Sequence, residues 1–459
     1  MPNDLGRGAE KSGIIEAGTV LQLPSFRTVA ASVIGNGLEW FNFISYALFA
    51  QLIAQTFFPE AAPGLSLVLA FSVFAIGFVA RPLGGLLFGL YADRAGRRKA
   101  LFPMMAVMAA GSLMLALVPG YAAIGITAPL LVVIARILQG ISVGGEFAAS
   151  AVFLVEHAPP GRRMFYGSLQ MCAQGVGVLV ASAFAFLIEQ SLPSAALADW
   201  GWRLPFFAGA LIGPVGLYLR WKVSETPEFK AKSRHRKDFP SPTIVSVFST
   251  QMPALLCGLA LVAVGTAISQ LWHSYLAVYA VRELHLSRTD AFLALAFAGL
   301  VEICAYPVAG WLADRIGAFR LFFWGAGLYM ILAWPLYAFV LSAPDLTHLM
   351  MAQLVASLLF AALSGCHPGL LAALFPVSVR STGVALSYNI AVLVFGAMAP
   401  ALVTWLIQMT GNPMMPAIYQ ITIAILALAV VGASGSVRRR AENQSRPADI
   451  NYPASHSLR

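Results

Sequence analysis

Seven ionisable side chains lie inside long apolar stretches of this chain. They are Glu39, Arg81, Arg136, Glu146, His273, Glu302 and His367. A mid-span arginine or acid costs roughly 2.5–3.5 kcal/mol in a bilayer, so each must pair, pack among helices or face a wet cavity. Arginine can hold a carboxylate through two hydrogen bonds, and glutamate or histidine can take up a proton. These residue types suit a site that binds an organic anion together with protons.

The first apolar stretch carries a polar and aromatic face. Asn42, Phe43 and Tyr46 follow Glu39 by three, four and seven positions, so all four share one side of a helix. We expect this face to line a cavity, where Glu39 exchanges protons and Asn42 and Tyr46 contact substrate. The alternative is that Glu39 packs in a hydrogen-bonded core and only holds helices together.

A second polar set occupies the fourth stretch. Gln139 and Glu146 share a helix face about 10 Å apart along the axis, and Arg136 adjoins that face. Arg136 and Gln139 are therefore expected to bind the anion, while the arginine tunes when Glu146 takes a proton. A standing Arg–Glu pair that only sets helix packing is the alternative. Gly140 and Gly144 are expected to let a neighbouring helix approach closely.

Arg81 and Glu302 occupy equivalent places in the two halves of the chain. Arg81 precedes Asp93 by twelve residues, and Glu302 precedes Asp314 by twelve. In a helix this spacing puts each about 18 Å inward from its loop, close to the middle of a membrane. Arg81 is expected to attract an anionic substrate and Glu302 to be a further proton site. A helix-interface ion pair is the structural alternative for either residue.

Histidines and other polar groups in later stretches complete the set. His273 is expected to share the proton, and Trp272 and Asn389 to contact substrate. A lone intramembrane histidine, His273 or His367, is also often a hydrogen-bonded core residue.

The composition requires that these residues be carried by membrane helices. Of the 459 residues, 59% are hydrophobic and 11% charged, and mean hydropathy is +0.77. Spanning helices take about 20 residues each. Twelve apolar runs are present, near 28–57, 65–92, 99–119, 127–156, 164–190, 202–222, 250–281, 289–313, 319–342, 346–374, 381–409 and 413–435. The predicted fold is an all-α integral membrane protein.

Basic residues set the predicted topology. Two of the 29 lysines and arginines lie inside spans and three in one set of loops, while the rest fall in the tails and the alternate loops. The positive-inside rule then places both termini in the cytoplasm, which requires an even number of spans. The predicted segments are a tail at 1–26, a six-helix bundle at 27–222, a linker at 223–242, a second bundle at 243–436 and a tail at 437–459.

A loop sequence occurs twice. Gly89-Leu-Tyr-Ala-Asp93-Arg94-Ala-Gly96-Arg97-Arg98 follows the second run, and Gly310-Trp-Leu-Ala-Asp314-Arg315-Ile-Gly317 follows the eighth. Two repeated six-helix halves are typical of transporters whose bundles rock about a central site.

These motifs resemble those of the major facilitator superfamily, and the chain is similar to its metabolite:proton symporter branch. The run Arg136-Ile-Leu-Gln139-Gly140 through Glu146 resembles the span-4 motif. Further matches are Gly35-Asn36-Gly-Leu-Glu39-Trp40-Phe41, Arg81-Pro82-Leu-Gly84-Gly85, Trp200-Gly201-Trp202-Arg203-Leu-Pro205-Phe206, Glu225-Thr226-Pro227 and Ser387-Tyr388-Asn389. The resemblance implies two pseudo-symmetric six-helix bundles. It also implies import of proline and betaine, α-ketoglutarate, citrate or tricarballylate, shikimate or another small organic acid.

The resemblance assigns the loop motif to a cytoplasmic latch between the bundles. The implied gating residues are Gly89, Asp93, Arg94, Gly96, Arg97, Asp314 and Arg315. Two positions depart from the family. Asn42 stands where the branch usually has an acid, which puts proton coupling through that position in doubt. Gly317-Ala-Phe-Arg320 lacks the first arginine of the repeated motif.

The predicted function is proton-coupled import of a small organic anion, such as a di- or tricarboxylate, by alternating access. An importer of a zwitterionic osmolyte and an uncoupled facilitator stay open as alternatives. No nucleotide-binding loop, metal motif or cysteine pair occurs, so no cofactor, metal or enzymatic activity is expected. The expected partners are the anion, protons and lipid, without nucleic acid. A monomer in a bacterial inner membrane is expected.

Overall fold

A computed structural model of the chain describes residues 26–59, 63–85, 87–88, 97–221, 244–376 and 379–445. The described residues are almost entirely helical, without a strand. Among the described residues, nine helical segments are long and apolar enough to cross a membrane. The helices Phe26–Leu48, Arg97–Leu117 and Leu204–Trp221 bring the number to twelve, as the hydropathy predicts. Residues 1–25 of the predicted tail, the predicted linker 223–242 and residues 446–459 lie outside the described part.

Six spans form the amino-terminal half. They are span 1 (Phe26–Leu48 and Ala50–Phe57), span 2 (Pro63–Val79, helical again to Gly85), span 3 (Arg97–Leu117), span 4 (Thr127–Val143 and Glu146–Glu156), span 5 (Arg163–Ser191) and span 6 (Leu204–Trp221). Short helices Tyr121–Ile124, Ser194–Asp199 and Gly201–Arg203 lie in the connections.

Six further spans form the carboxy-terminal half. They are span 7 (Ile244–Ser269, Gln270–Tyr275 and Leu276–Arg282), span 8 (Arg288–Ile316), span 9 (Ala318–Ser342), span 10 (Leu346–Ser364 and His367–Leu374), span 11 (Arg380–Ala391, Val392–Ala397 and Ala399–Thr410) and span 12 (Met415–Ala433). A polar helix, Gly435–Ser445, follows where the sequence predicted a tail. It is docked, because Ala441 is buried and Arg438 lies over the Phe323 ring.

Spans 2, 7 and 11 depart from regular α-helical geometry. Span 2 breaks at Ala80, since Pro82 has no N–H to donate to the turn before it, and Arg81 stands at this break. Span 7 contains a π-helical turn, Gln270–Tyr275, and span 11 contains another, Val392–Ala397. Such turns interrupt the regular hydrogen-bond ladder and are frequent at functional sites.

Glycines bring helices into backbone contact. A Cβ on Gly140 would meet Gly77 O of span 2, and one on Gly144 would meet Arg81 O. Gly299 of span 8 lies against Gly175 of span 5 in the same way. The two halves therefore pack closely along spans 5 and 8, as helices with small interface residues do in membranes.

The two halves touch at both ends of the molecule. At one end, the rings of Phe49 and Phe292 lie 5.8 Å apart, and those of Phe71 and Tyr275 lie 6.0 Å apart. At the other end, which carries the loops near 157–162 and 317 and is called the basic side here, Arg380 and Glu156 are 3.1 Å apart. The two halves therefore make contact on both sides of the midplane of the molecule.

Candidate functional site

Glu39 and Arg81 form a buried ion pair. Arg81 Nη2 lies 2.9 Å from Glu39 Oε1, and both side chains are almost inaccessible to solvent. The guanidinium also lies 4.6 Å from the Phe43 ring and 4.1 Å from the Phe78 ring. Arg81 Nε and Nη1 and Glu39 Oε2 have no hydrogen-bond partner within the described chain. Two donor nitrogens of Arg81 and one acceptor oxygen of Glu39 are thus available to a ligand.

The opposite bundle reaches this pair through span 11. Tyr388 is close enough to Glu39 and Arg81 to interact electrostatically with both. Its ring stacks on Phe147 of span 4 at 3.6 Å. Asn389 Nδ2 donates to Gly144 O across the bundles at 2.9 Å. Asn389 therefore lies at the bundle interface, where the sequence-based hypothesis needs a substrate contact.

Arg136 is held by neutral groups. Its Nη1 donates to Gln139 Oε1 at 2.7 Å and its Nη2 to Phe74 O at 3.4 Å. The rings of Phe43 and Tyr46 lie 4.2 and 4.6 Å from the guanidinium carbon. Within the described chain no carboxylate lies within ion-pair distance of it. Arg136 is thus a fully buried positive charge stabilised by dipoles and aromatic faces.

The expected Arg136–Glu146 set is not assembled. Span 4 is interrupted at Gly144–Gly145, and Glu146 begins a new helical segment. Arg136 and Glu146 are both buried, but no ion pair joins these two side chains in the described chain, and the proton role of Glu146 stays a prediction. Arg136 bonds instead to Gln139, its neighbour one turn on.

Asn42 and Tyr46 point into the amino-terminal bundle. Asn42 Oδ1 accepts from Ser112 Oγ of span 3 at 2.9 Å, and Asn42 Nδ2 donates to Leu38 O. Ser112 Oγ also accepts from Gln139 Nε2 at 3.0 Å, so hydrogen bonds join Asn42 to the Gln139–Arg136 pair. Tyr46 Oη donates to Ala70 O of span 2. Both side chains thus bond within the amino-terminal bundle, and the expectation that they line the central cavity together with Glu39 stays a prediction.

A second buried acid pairs with a histidine in the carboxy-terminal bundle. His273 Nε2 lies 2.7 Å from Glu302 Oε1, with the two side chains 2% and 0% exposed. Tyr306 Oη donates to Glu302 Oε2 at 3.4 Å. The sequence analysis predicted a proton role for His273 and for Glu302 separately. The structure shows that the two side chains are hydrogen-bonded to each other.

The histidine also connects to the amino-terminal bundle. His273 Nδ1 lies 3.3 Å from Ser269 Oγ, which accepts from Gln174 Nε2 of span 5 at 3.3 Å. A continuous polar chain therefore runs from span 5 through span 7 to span 8.

Trp272 and His367 lie away from that chain. Trp272 Nε1 donates to Tyr329 of span 9 at 2.6 Å, and Tyr329 Oη donates to Gln420 of span 12. Trp272 therefore holds the π-helical turn within its own bundle, whereas the sequence analysis predicted that Trp272 contacts substrate. His367 packs against the Phe322 ring.

The basic side carries the contacts of a latch. Asp314 accepts the Met164 and Phe165 backbone N–H groups at 2.9 and 3.0 Å. These amides begin span 5, where the positive end of the helix dipole favours a carboxylate. Arg315 instead lies over the Trp311 ring of its own span. The remaining predicted gating residues, Gly89, Asp93, Arg94 and Gly96 together with the Arg97 side chain, lie outside the described part.

Several interface residues were not singled out from the sequence. They are Gln174, Ser269, Tyr306, Tyr388, Glu156 and Arg380. Glu156 and Arg380 follow apolar stretches in different halves, and only the packed bundles bring them together. Tyr388 stood within a matched motif, which was the available signal.

A sequence model of the Major Facilitator Superfamily matches residues 33–342 and 274–451, nearly the whole chain. The chain belongs to the Major Facilitator Superfamily. A citrate-proton symporter of Salmonella typhi is 35% identical over 405 residues, covering 88% of this chain and 93% of the relative. A citrate-proton symporter of Klebsiella pneumoniae is 36% identical, covering 86% and 88%. A proline/betaine transporter of Escherichia coli K12 is 33% identical, covering 94% and 86%.

Solved structures support the same fold for this superfamily member. The crystal structure of a D-xylose-proton symporter matches with a TM-score of 0.69 at 21% identity, covering 88% of this chain and 98% of that one. A partially occluded inward-open form of the xylose transporter XylE from Escherichia coli matches with a TM-score of 0.70 at 19% identity, covering 89% and 97%. The predicted twelve-span, two-bundle architecture is confirmed, and the protein is a multi-pass membrane protein.

Proposed function

We propose that this protein is a secondary transporter that carries a small organic anion, such as a di- or tricarboxylate, together with protons. The observation that carries the proposal is Arg81. It is a buried guanidinium at the bundle interface with donors still available beside its Glu39 partner. Similarity to two citrate-proton symporters supports both the anion and the proton.

The charges of the amino-terminal bundle favour an anion. Arg81 can offer N–H donors to a carboxylate in the planar geometry that such groups accept. Arg136, buried without a carboxylate in ion-pair distance in the described chain, adds positive potential nearby. We assign the substrate contact to Arg81 and the interface residue Asn389, and the electrostatic support to Arg136 and Gln139.

In the proposed alternating-access cycle, the contacts at the two ends of the molecule open in turn. Opening towards the basic side requires Asp314 to leave the start of span 5 and Arg380 to part from Glu156. Opening towards the other side requires the Phe49–Phe292 contact to separate. The loop 89–97 belongs, in this proposal, to the basic-side latch. We further propose a monomer in the inner membrane with both termini cytoplasmic and no enzymatic activity.

A zwitterionic osmolyte is the second candidate. Within the described chain Glu39 Oε2 has no hydrogen-bond partner, so it can accept from a substrate ammonium while Arg81 holds the substrate carboxylate. A proline/betaine transporter is also among the relatives.

A substrate screen in proteoliposomes tests the proposal. Citrate, tricarballylate, α-ketoglutarate, shikimate, proline and betaine are offered to the purified protein under an imposed inward proton gradient. Accumulation of a carboxylic acid that stops when a protonophore collapses the gradient is the expected result. Accumulation of proline or betaine alone selects the second candidate. Uptake that only equilibrates, with or without the gradient, contradicts proton coupling.

A further inference from the structure

The His273–Glu302 pair has the geometry of a titrating unit. The Nε2–Oε1 distance of 2.7 Å requires a hydrogen atom between the two groups. Both groups can gain or lose a proton, whereas a guanidinium stays protonated at biological pH. The pair can therefore carry a net charge of about −1 or 0, according to whether one further proton is bound.

The hydrogen bonds around the imidazole depend on that proton. In the unprotonated pair, His273 donates from Nε2 to Glu302, and its Nδ1 accepts the Ser269 hydroxyl hydrogen. Ser269 Oγ meanwhile accepts from Gln174 Nε2. Every donor in this chain then has an acceptor, and the donation runs in one direction from span 5 to span 8.

Proton binding reverses one link of the chain. A proton taken from water gives an imidazolium that donates from both nitrogens, or the Nε2 proton passes to Glu302 Oε1 while Nδ1 is protonated. In both cases Nδ1–H now donates to Ser269 Oγ. The Ser269 hydroxyl hydrogen loses its acceptor, and the same oxygen receives two donors, one of them from Gln174. The changed contact joins spans 5 and 7, which belong to different bundles.

The described groups around the His273–Glu302 pair are mostly neutral near pH 7, so the net charge of the pair depends on whether the one further proton is bound. Tyr306 on span 8 donates to Glu302, and its own titratable neighbours include Cys172 on span 5 and Tyr388 on span 11. Phenols and thiols are mostly neutral near pH 7. Phe360 of span 10 packs against the imidazole edge at a ring distance of 5.5 Å. In the described chain no lysine or arginine lies within ion-pair distance of Glu302.

The other buried acid is compensated differently. Glu39 lies 2.9 Å from Arg81, whose positive charge is permanent. Glu39 therefore has a fixed cation beside it, whereas Glu302 has no lysine or arginine within ion-pair distance in the described chain.

We propose that the hydrogen-bonded His273–Glu302 pair binds the transported proton, and that Ser269 and Gln174 transmit the protonation state of the pair to the opposite bundle. The pair accepts the proton from water on one side of the membrane and returns it to water on the other. Glu302 supplies the acid of the pair, and His273 supplies the second proton acceptor and the contact with Ser269. This assignment rests on the proposed proton symport.

The test separates exchange from accumulation. Wild-type and Glu302→Gln protein are reconstituted, and uptake of radiolabelled citrate, or of the carboxylate found in the screen above, is measured. Exchange between equal substrate pools at equal pH needs no net proton movement. We expect Glu302→Gln to retain exchange and to lose gradient-driven accumulation and substrate-dependent proton entry. Glu283→Gln, the same change at the outer end of span 7, is the matched control and should keep both activities.

Two results would overturn the assignment. One is gradient-driven accumulation by Glu302→Gln. The other is loss of exchange as well as accumulation in a variant that stays monodisperse with unchanged thermal stability. If the wild-type protein itself accumulates nothing under a gradient, it is the proposed symport that fails.

Two further variants keep the proposal testable if Glu302→Gln does not fold. His273→Gln keeps a neutral hydrogen-bonding side chain but removes one of two proton acceptors. We expect the dependence of accumulation on external pH to change, while exchange between equal substrate pools is kept. Ser269→Ala cuts the chain to Gln174 and should lower accumulation more than exchange. An unchanged pH profile in His273→Gln, or wild-type accumulation in Ser269→Ala, contradicts the corresponding role.

Discussion

The Arg81–Glu39 pair can hold helices together and can also bind the substrate anion through Arg81. A double-variant cycle separates these two roles. The two charges are held by a 2.9 Å contact. At an effective dielectric constant of about 20, unit charges about 4 Å apart attract each other by about 4 kcal/mol. Removing one partner of a buried pair costs roughly 3–5 kcal/mol, because the other charge is left buried. Arg81→Gln should therefore strongly destabilise the fold.

The double variant Arg81→Gln/Glu39→Gln should recover most of that loss, since no charge stays uncompensated. Transport behaves differently if Arg81 holds the substrate. Two charge-assisted hydrogen bonds contribute about 1.5–3 kcal/mol each. Their loss lowers apparent affinity roughly 10²–10⁴-fold at about 1.4 kcal/mol per tenfold. We expect this loss in both the single and the double variant.

Thermal unfolding in detergent and citrate uptake in proteoliposomes measure the two quantities on the same preparations. Glu189 and Arg288 provide the control cycle. They are 3.9 Å apart and partly exposed, so neutralising them should change stability by about 1 kcal/mol or less and leave uptake intact. Recovery of uptake together with stability in the Arg81/Glu39 double variant would refute the anchor role and leave a purely structural pair.

Three further predictions follow from single contacts. Gly144→Ala places a methyl group against Arg81 O, so it should lower the unfolding temperature sharply, whereas Gly432→Ala, which meets nothing within 4 Å, should not. Asn42→Asp can keep the bond to the carbonyl one turn earlier only when protonated. Its uptake should fall more steeply with rising pH than wild-type uptake, and identical pH profiles would contradict this reading. Asp314→Asn loses one carboxylate acceptor at the start of span 5. Hydrogen–deuterium exchange of those two amides should become faster, and unchanged exchange would remove Asp314 from the latch.

Much of the fold follows from the sequence because bilayer insertion is decided locally. A run of about 20 apolar residues partitions into lipid whatever its neighbours are. Hydropathy therefore located twelve spans close to the helices observed. The helix Gly435–Ser445 was not predicted from hydropathy, because it is polar and docks through a few contacts, among them that of the buried Ala441.

The irregular turns within the spans could not be predicted from hydropathy either. The turn at Gly144–Gly145, which divides span 4, and the π-helical turn Gln270–Tyr275 leave no mark in the apolar content of their spans. Within the π-helical turn, Trp272 and His273 have partners on different spans, Tyr329 and Glu302.

The sequence by itself determined the membrane class, the number of spans and the buried side chains whose chemistry matters, because the cost of a charge in lipid marks such residues wherever they stand. Only the tertiary structure decided their partners. Glu39 pairs with Arg81, Glu302 with His273, and Arg136 with no described carboxylate. Pairing depends on helix rotation and on the contact of spans that are distant in sequence, and no single helix carries that information.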